Sequence, residues 1–238
     1  EQNLKILFPE AKILRMDSDS ARKRDTYKSM YNRMKNKEVD ILLGTQMISK
    51  GLDFPLVTLV GIVMADISLN LPDFRAAERT FQLLTQVAGR SGRRDKAGEV
   101  IIQTYNPQHY AIESASQQNY IRFATEELGY RKKLYYPPYY RLARILFQST
   151  DLETLKKEMS NMREVLYFLR KQFPMPQLLL LGPSVAPFSK ISSYYRYHLI
   201  FKAQTVKILQ NAIRLFNSLY NCPSNIRKQI DIDPNTLM

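Results

Sequence analysis

Three short apolar runs, VDILLGT (39–45), VTLVGIVMAD (57–66) and GEVIIQTYN (98–106), leave the first half of this chain few folds to choose from. Each is nearly continuous in apolar residues and of strand length, which suits a strand buried on both faces of a parallel sheet. The stretches around them have helical period. ARKRDTYKSMYNRMKNKE (21–38) brings Tyr27, Met30, Tyr31 and Met34 together at helical spacing, and these four are read as core contacts. FRAAERTFQLLTQVAGRSGR (74–93) is a second helical stretch, and AKILRMDSDS (11–20) reads as a strand entering a polar turn whose Ser and Asp residues cap the next helix. Helix and strand therefore alternate from residue 11 to 106, the pattern of a parallel α/β layer fold.

Beyond residue 109 the pattern changes. A polar helical region ends in RKKLYYPPYYR (131–141), where Pro137 and Pro138 stop the helix and stiffen the chain, which predicts a domain boundary and two domains, 1–133 and 134–238. After it come strand 141–149, helix 151–173, strands 177–182 and 194–202, helix 204–221 and strand 227–232. That βαββαβ order predicts a smaller α+β, ferredoxin-like domain with an antiparallel sheet and helices on one side. A length of 238 residues suits two small cores, and 45% apolar with 24% charged residues is a globular rather than a disordered composition.

Thirty-five Lys and Arg against 22 Asp and Glu give a net charge of +13, which favours polyanions through phosphate neutralisation and counterion release. The one cysteine, Cys222, allows no internal disulfide and no cysteine-based zinc cage, in keeping with a reducing cytoplasm. No apolar run has bilayer-spanning length, so no membrane is expected as a partner. The opening EQNLKILFPEAK has neither the basic start nor the apolar core of a signal peptide. The first residue is Glu rather than Met, as in a stretch cut from a longer polypeptide.

Two segments place glycine and polar residues where phosphates are commonly held. In ILLGTQMISKGLDFP (41–55) a strand delivers Gly44, Thr45 and Gln46 to its carboxyl end, the ligand-binding edge of open α/β sheets. Thr45 offers a hydroxyl and a backbone N–H to a nucleic-acid phosphate, Lys50 adds charge, Gly51 permits close backbone approach, and Asp53 offers an acceptor to a ribose hydroxyl. In QVAGRSGRRDKAGE (86–99), Gln86 and Arg90 share a helical face and Arg93 follows one turn later. Guanidiniums at a helix end between glycines form a bidentate phosphate clamp. Either segment alone is commonplace on a solvated surface; their order within one α/β unit gives them weight.

GTQMISKGLDFP resembles motif V and QVAGRSGR motif VI of the superfamily 2 helicases, with MDSDS (16–20) in the place of motif IV. The string ADISLNLPDFRAAERTFQLLTQVAGRSGRRDKAGEVIIQT, together with YYPPYYRLARI, LLLLGPSVAPFSK, YYRYHLIFK and IDIDPNT, is similar to the PriA family of bacterial replication-restart helicases (primosomal protein N′). This implies a partial second RecA-like helicase lobe followed by a family-specific α+β domain. It implies that Gln86, Arg90 and Arg93 meet ATP phosphates across an inter-lobe cleft, with Arg93 as arginine finger. Gly51 and Asp53 would couple nucleotide to DNA, and Thr45, with Gln46 and Lys50, would contact the DNA.

The same resemblance implies a 3′ to 5′ DNA helicase, bacterial, cytoplasmic and nucleoid-associated, that acts as a monomer on abandoned forks. Its cofactor would be ATP with Mg2+, and its partners forked and single-stranded DNA, the single-stranded-DNA-binding protein, and primosome and helicase-loading proteins. The basic, aromatic run SKISSYYRYH (189–198) is a candidate DNA contact, Lys190 and Arg196 by charge and Tyr194, Tyr195 and Tyr197 by stacking, set against ordinary half-burial of tyrosines in a strand. No G-x-x-x-x-G-K-[ST] loop and no acidic Walker B segment occurs, so this polypeptide alone is expected to be inactive. The family's zinc insertion is expected in the longer parent only, immediately before this stretch. An inert nucleic-acid or protein-binding module, and another translocase such as a RecG-like or RNA helicase, remain as rival readings. His109 and His198 receive no role.

Overall fold

The computed structural model describes residues 1–16, 24–45, 56–89 and 98–238. They divide into two units, Glu1–Asn70 with Ala77–Phe123, and Leu71–Ala76 with Ala124–Met238. In the first, the expected alternation yields α1 (Gln2–Leu7), β1 (Ile13–Met16), α2 (Arg24–Lys35), β2 (Ile41–Gly44), β3 (Leu59–Ile62) and α3 (Asp66–Leu69). It continues through α4 (Ala76–Ala88), β4 (Glu99–Ile102), α5 (Tyr110–Ser116) and α6 (Tyr120–Lys133), a helix that passes into the second unit at Ala124. The strands pair in parallel two by two, Ile13 to Met16 against Ile41 to Gly44 and Leu59 to Ile62 against Glu99 to Ile102. Parallel pairing through helical crossovers makes this unit α/β.

The side chains explain why. Met30 of α2 is buried against Met16, with Leu14, Tyr31 and Leu42 around them, while Met34 is half-buried. Phe81 and Leu84 of α4 pack with Ala111, Ile112 and Ala115 of α5 and with Phe123, whose ring stacks on Phe81 at 4.1 Å. His109 caps α5 by accepting the Ala111 amide at 3.2 Å, a local role that its sequence position did not announce.

Burial of the strands on both faces is corrected by the structure. In β3 and β4 residues alternate between half-buried and exposed, and Leu59 and Ile101 are 56% and 53% exposed. Ile62 and Ile102 turn towards the helices, whereas Leu59, Glu99 and Ile101 share the other face, which no described helix covers. A two-stranded pair with helices on one side has one dry face, whatever the apolar content of its strands.

The second unit comprises β5 (Arg141–Ser149), α7 (Leu152–Asn161), α8 (Arg163–Gln172), β6 (Leu178–Ile191), β7 (Tyr194–Ala203), α9 (Val206–Leu219) and β8 (Arg227–Ile232). Its four strands lie in the order β6-β7-β5-β8 with every neighbour antiparallel. Alternation does the work here: Ala143, Ile145 and Phe147 of β5 and Leu199, Phe201 and Ala203 of β7 form one dry face under Leu155, Met162, Leu166, Leu169, Leu209 and Phe216. The helix expected over 151–173 is broken at Met162, which ends α7, begins α8 and is completely buried. Strand β6 is longer than expected and irregular in register beyond Leu181. Gly182 there has φ +95°, and a Cβ would sit 2.6 Å from the His198 carbonyl oxygen, so only glycine fits.

The segment Leu71–Ala76 belongs to this second unit although its chain neighbours do not. Phe74 stacks on Tyr136 at 5.0 Å with the rings 7° from parallel, and the guanidiniums of Arg75 and Arg131 each lie 5.3 Å from its centroid. Asp73 accepts the Arg75 amide at 2.9 Å and the Thr236 hydroxyl, and Arg75 donates to Asn235 at 3.2 Å. Under Tyr136 lies Lys202, 3% exposed, its Nζ 3.3 Å from the ring centroid and donating to the Leu134 carbonyl at 2.9 Å.

Burial pushes the Lys202 ammonium down to about 8. Between pH 8 and the ordinary lysine value the unfolded chain keeps a proton that the folded chain has lost. Stability is therefore expected to rise with pH over that window, by up to about 3 kcal/mol. Denaturant midpoints for this unit at pH 7.5 and 9.5 check it, and Lys202→Met should flatten the difference.

Candidate nucleotide and nucleic-acid interface

Strand β2 ends at Gly44, level with Met16 of β1, and delivers Thr45 as an exposed residue just past the carboxyl edge of the pair. Gln46, Lys50, Gly51 and Asp53 lie outside the described residues, as does MDSDS beyond Met16. On α4 the core side is set by Phe81 and Leu84, which leaves Glu78, Gln82 and Gln86 along a polar stripe; Gln82 donates to Glu78 at 3.2 Å. Gln86 is exposed on the last turn of that helix. Arg90 and Arg93 also lie outside the described residues. The structure thus places two of the first unit's predicted site residues, Thr45 and Gln86, both in solvent.

Sequence reasoning passed over Asp66, at the end of the VTLVGIVMAD run. Its carboxylate accepts the Tyr105 amide at 2.9 Å and the Thr104 hydroxyl at 2.8 Å, and these hydrogen bonds hold it below the usual carboxylate range. It ties the chain leaving β3 to the chain leaving β4, and a lone Asp closing an apolar run was the available signal.

In the second unit, SKISSYYRYH folds into the hairpin of β6 and β7, with Lys190 opposite Tyr195. The Lys190 ammonium lies 4.5 Å from the Tyr195 centroid and 3.4 Å from its hydroxyl. Tyr195 and Tyr197 pack against the helix-side core. Arg196 differs from the exposed contact that its place in a basic run predicts. It is 6% exposed, points to the opposite face of the sheet and donates to the Phe188 carbonyl at 3.3 Å. Desolvation and the nearby Arg144 both lower its proton affinity. Tyr194 shares that second face, beneath Arg227 at 4.3 Å. The period of two in a strand therefore splits the run, Lys190, Tyr195 and Tyr197 on one side and Tyr194 and Arg196 on the other.

His198, on the Arg196 side, is shifted down by burial and by Arg144. Among the described residues no helix is long and apolar enough to cross a membrane.

Two family models match consecutive stretches of the chain. Residues 1–95 match the helicase conserved C-terminal domain, and residues 132–235 match the primosomal protein N C-terminal domain. The replication restart protein PriA of Bacillus subtilis (strain 168) is 38% identical over all of this chain, which covers 29% of that protein. PriA of Borreliella burgdorferi is 39% identical over all of this chain and 35% of its own length, and PriA of a Synechocystis strain is 39% identical over 95% of this chain and 27% of its own length. The chain spans about a third of the length of these curated relatives. It belongs to the PriA family, and what it matches is that family's C-terminal portion.

Proposed function

We propose that this chain is the part of an ATP-dependent replication-restart DNA helicase that supplies the motif V and VI side of a composite ATP site, together with a DNA-contacting α+β domain of ferredoxin-like strand order. One observation carries the reading: a helicase C-terminal match and a primosomal protein N C-terminal match follow one another in a single chain, with Thr45 and Gln86 exposed at the ends of β2 and α4. Gln86, Arg90, Arg93, Gly51 and Asp53 would face ATP with Mg2+, and Thr45, Gln46 and Lys50 would meet the DNA backbone. In the second unit Lys190 and Tyr195 are the contacts, and Arg196 holds the hairpin through Phe188. ATP supplies the driving free energy when bound. The residues of this chain orient its phosphates, and Arg93 neutralises charge on the transferring phosphoryl group.

The motor runs 3′ to 5′ on forked and single-stranded DNA, as a monomer in the bacterial cytoplasm and nucleoid. It works beside the single-stranded-DNA-binding protein and primosome and helicase-loading proteins. The phosphate loop and Walker B carboxylate come from elsewhere in the parent, so the 238 residues alone bind DNA without turnover. Titration of labelled forked and single-stranded DNA with this chain at two salt concentrations tests that, with weak binding that falls steeply with salt and no ATP hydrolysis as the expected result. DNA-stimulated ATPase from the purified chain would overturn it, and equal preference for RNA duplexes would favour a different translocase.

A further inference from the structure

The side of the second unit that carries α7 and α8 has a groove of about 760 Å3 between those helices and the irregular part of β6. Its floor is Met159 and Leu166, both buried, and Tyr197 of β7 and Gly182 and Pro183 at the register irregularity of β6 contribute to its lining. Three cations line it, Lys156, Arg163 and Arg170, and no carboxylate does. Lys156 is already engaged by Glu153 at 2.8 Å, and Arg170 makes only a long contact of 3.5 Å to the Leu180 carbonyl. Arg163 has no ion-pair partner among the described residues, so the groove holds positive charge that the protein leaves uncompensated.

The pattern along α8 is more specific than charge. Tyr167 is 71% exposed and stands four residues after Arg163 and three before Arg170, so a cation, an aromatic ring and a second cation succeed one another along one helical face. Residues at that spacing are about 5–6 Å apart, a step comparable to one nucleotide. A tyrosine exposed between two guanidiniums is well suited to stacking a base with phosphates on either side. A duplex hides its base faces. A polyanion without rings, such as an acidic peptide, satisfies the arginines and leaves the tyrosine idle.

We propose that this groove is a track for single-stranded nucleic acid, with Arg163 and Arg170 on phosphates about two nucleotide steps apart and Tyr167 stacking a base between them. It is a site distinct from the Lys190–Tyr195 pair, and it rests on the nucleic-acid part of the reading above while standing apart from the ATP site.

The test is fluorescence anisotropy of this chain with a labelled single strand of about 12 nucleotides and with a blunt duplex of the same length, across a salt series. R163E/R170E is expected to weaken strand binding at least about tenfold and to flatten the salt dependence by roughly the slope of two phosphate contacts. Tyr167→Ala is expected to weaken it at least about fivefold with the salt slope unchanged. R214E, a single charge reversal of the same kind on the exposed face of α9, is expected to change affinity by much less than half the effect of the double reversal. Circular dichroism melts accompany each variant, and R163Q/R170Q, which introduces no repulsion, replaces the double reversal if that variant melts early. Equal loss in R214E and in the groove variants, preference for the duplex, or an unaltered affinity in Tyr167→Ala overturns the proposal. Loss of ATPase in motif VI variants of the parent leaves it untouched.

Discussion

Arg93→Ala in a full-length parent is expected to lower DNA-stimulated ATP hydrolysis about a thousandfold or more while DNA binding is largely kept. A guanidinium at this position acts where charge develops on the transferring phosphoryl group, so its loss registers in turnover far more than in ground-state affinity. Arg93→Lys should rescue little, because an ammonium lacks the planar two-pronged donor set. Steady-state ATPase and anisotropy on the same preparation separate the two quantities. Near-normal turnover in Arg93→Ala would leave the chain as a binding module that keeps a helicase-like sequence without its chemistry.

Stability supplies the second large effect. Phe201 lies in the inner strand β7, paired with Ala143 and with Leu180, completely buried, with its ring edge-on to Phe216 at 5.8 Å. Phe201→Ala removes a whole aromatic side chain from a close-packed layer and is expected to destabilise the second unit by about 3–5 kcal/mol. That is a large share of the 5–15 kcal/mol typical of a domain. Val185→Ala, on the half-exposed part of β6, should cost well under about 1 kcal/mol. Chemical denaturation followed by far-UV circular dichroism distinguishes them, and similar midpoints for the two variants would mean that the layer between β7 and α9 is not where this unit's stability resides.

What could be read beforehand follows physical period. Strand β5 was legible to the residue, because RLARILFQS has little but apolar side chains on its core face and alternation tells the faces apart. The break at Met162 was not, because SNMREV contains neither glycine nor proline and Met162 itself keeps a near-helical backbone, φ −70° and ψ −11°. Burial in β3 and β4 was overestimated because apolar content says how dry a strand can become, not whether a second layer arrives to cover it. At the candidate site, motifs V and VI were visible through glycine spacing, and most of their residues lie outside the described part of the chain. Arg196 was misplaced because a basic run was read as a patch, when a strand distributes consecutive residues to opposite faces. The α8 groove went unseen because its lining joins the helices α7 and α8 to Gly182 and Pro183 of β6 and Tyr197 of β7, which only the fold brings together.

The stacked Phe74 has a practical corollary. Its six-residue segment acquires its partners, Tyr136, Arg131, Asn235 and Thr236, from chain made 55 or more residues later. A truncation ending near residue 133 therefore does not liberate an intact helicase piece; it leaves Phe74 without Tyr136, Asp73 without Thr236 and Arg75 without Asn235. Anyone dividing this protein for expression gains more from keeping both halves on one polypeptide than from choosing a better cut.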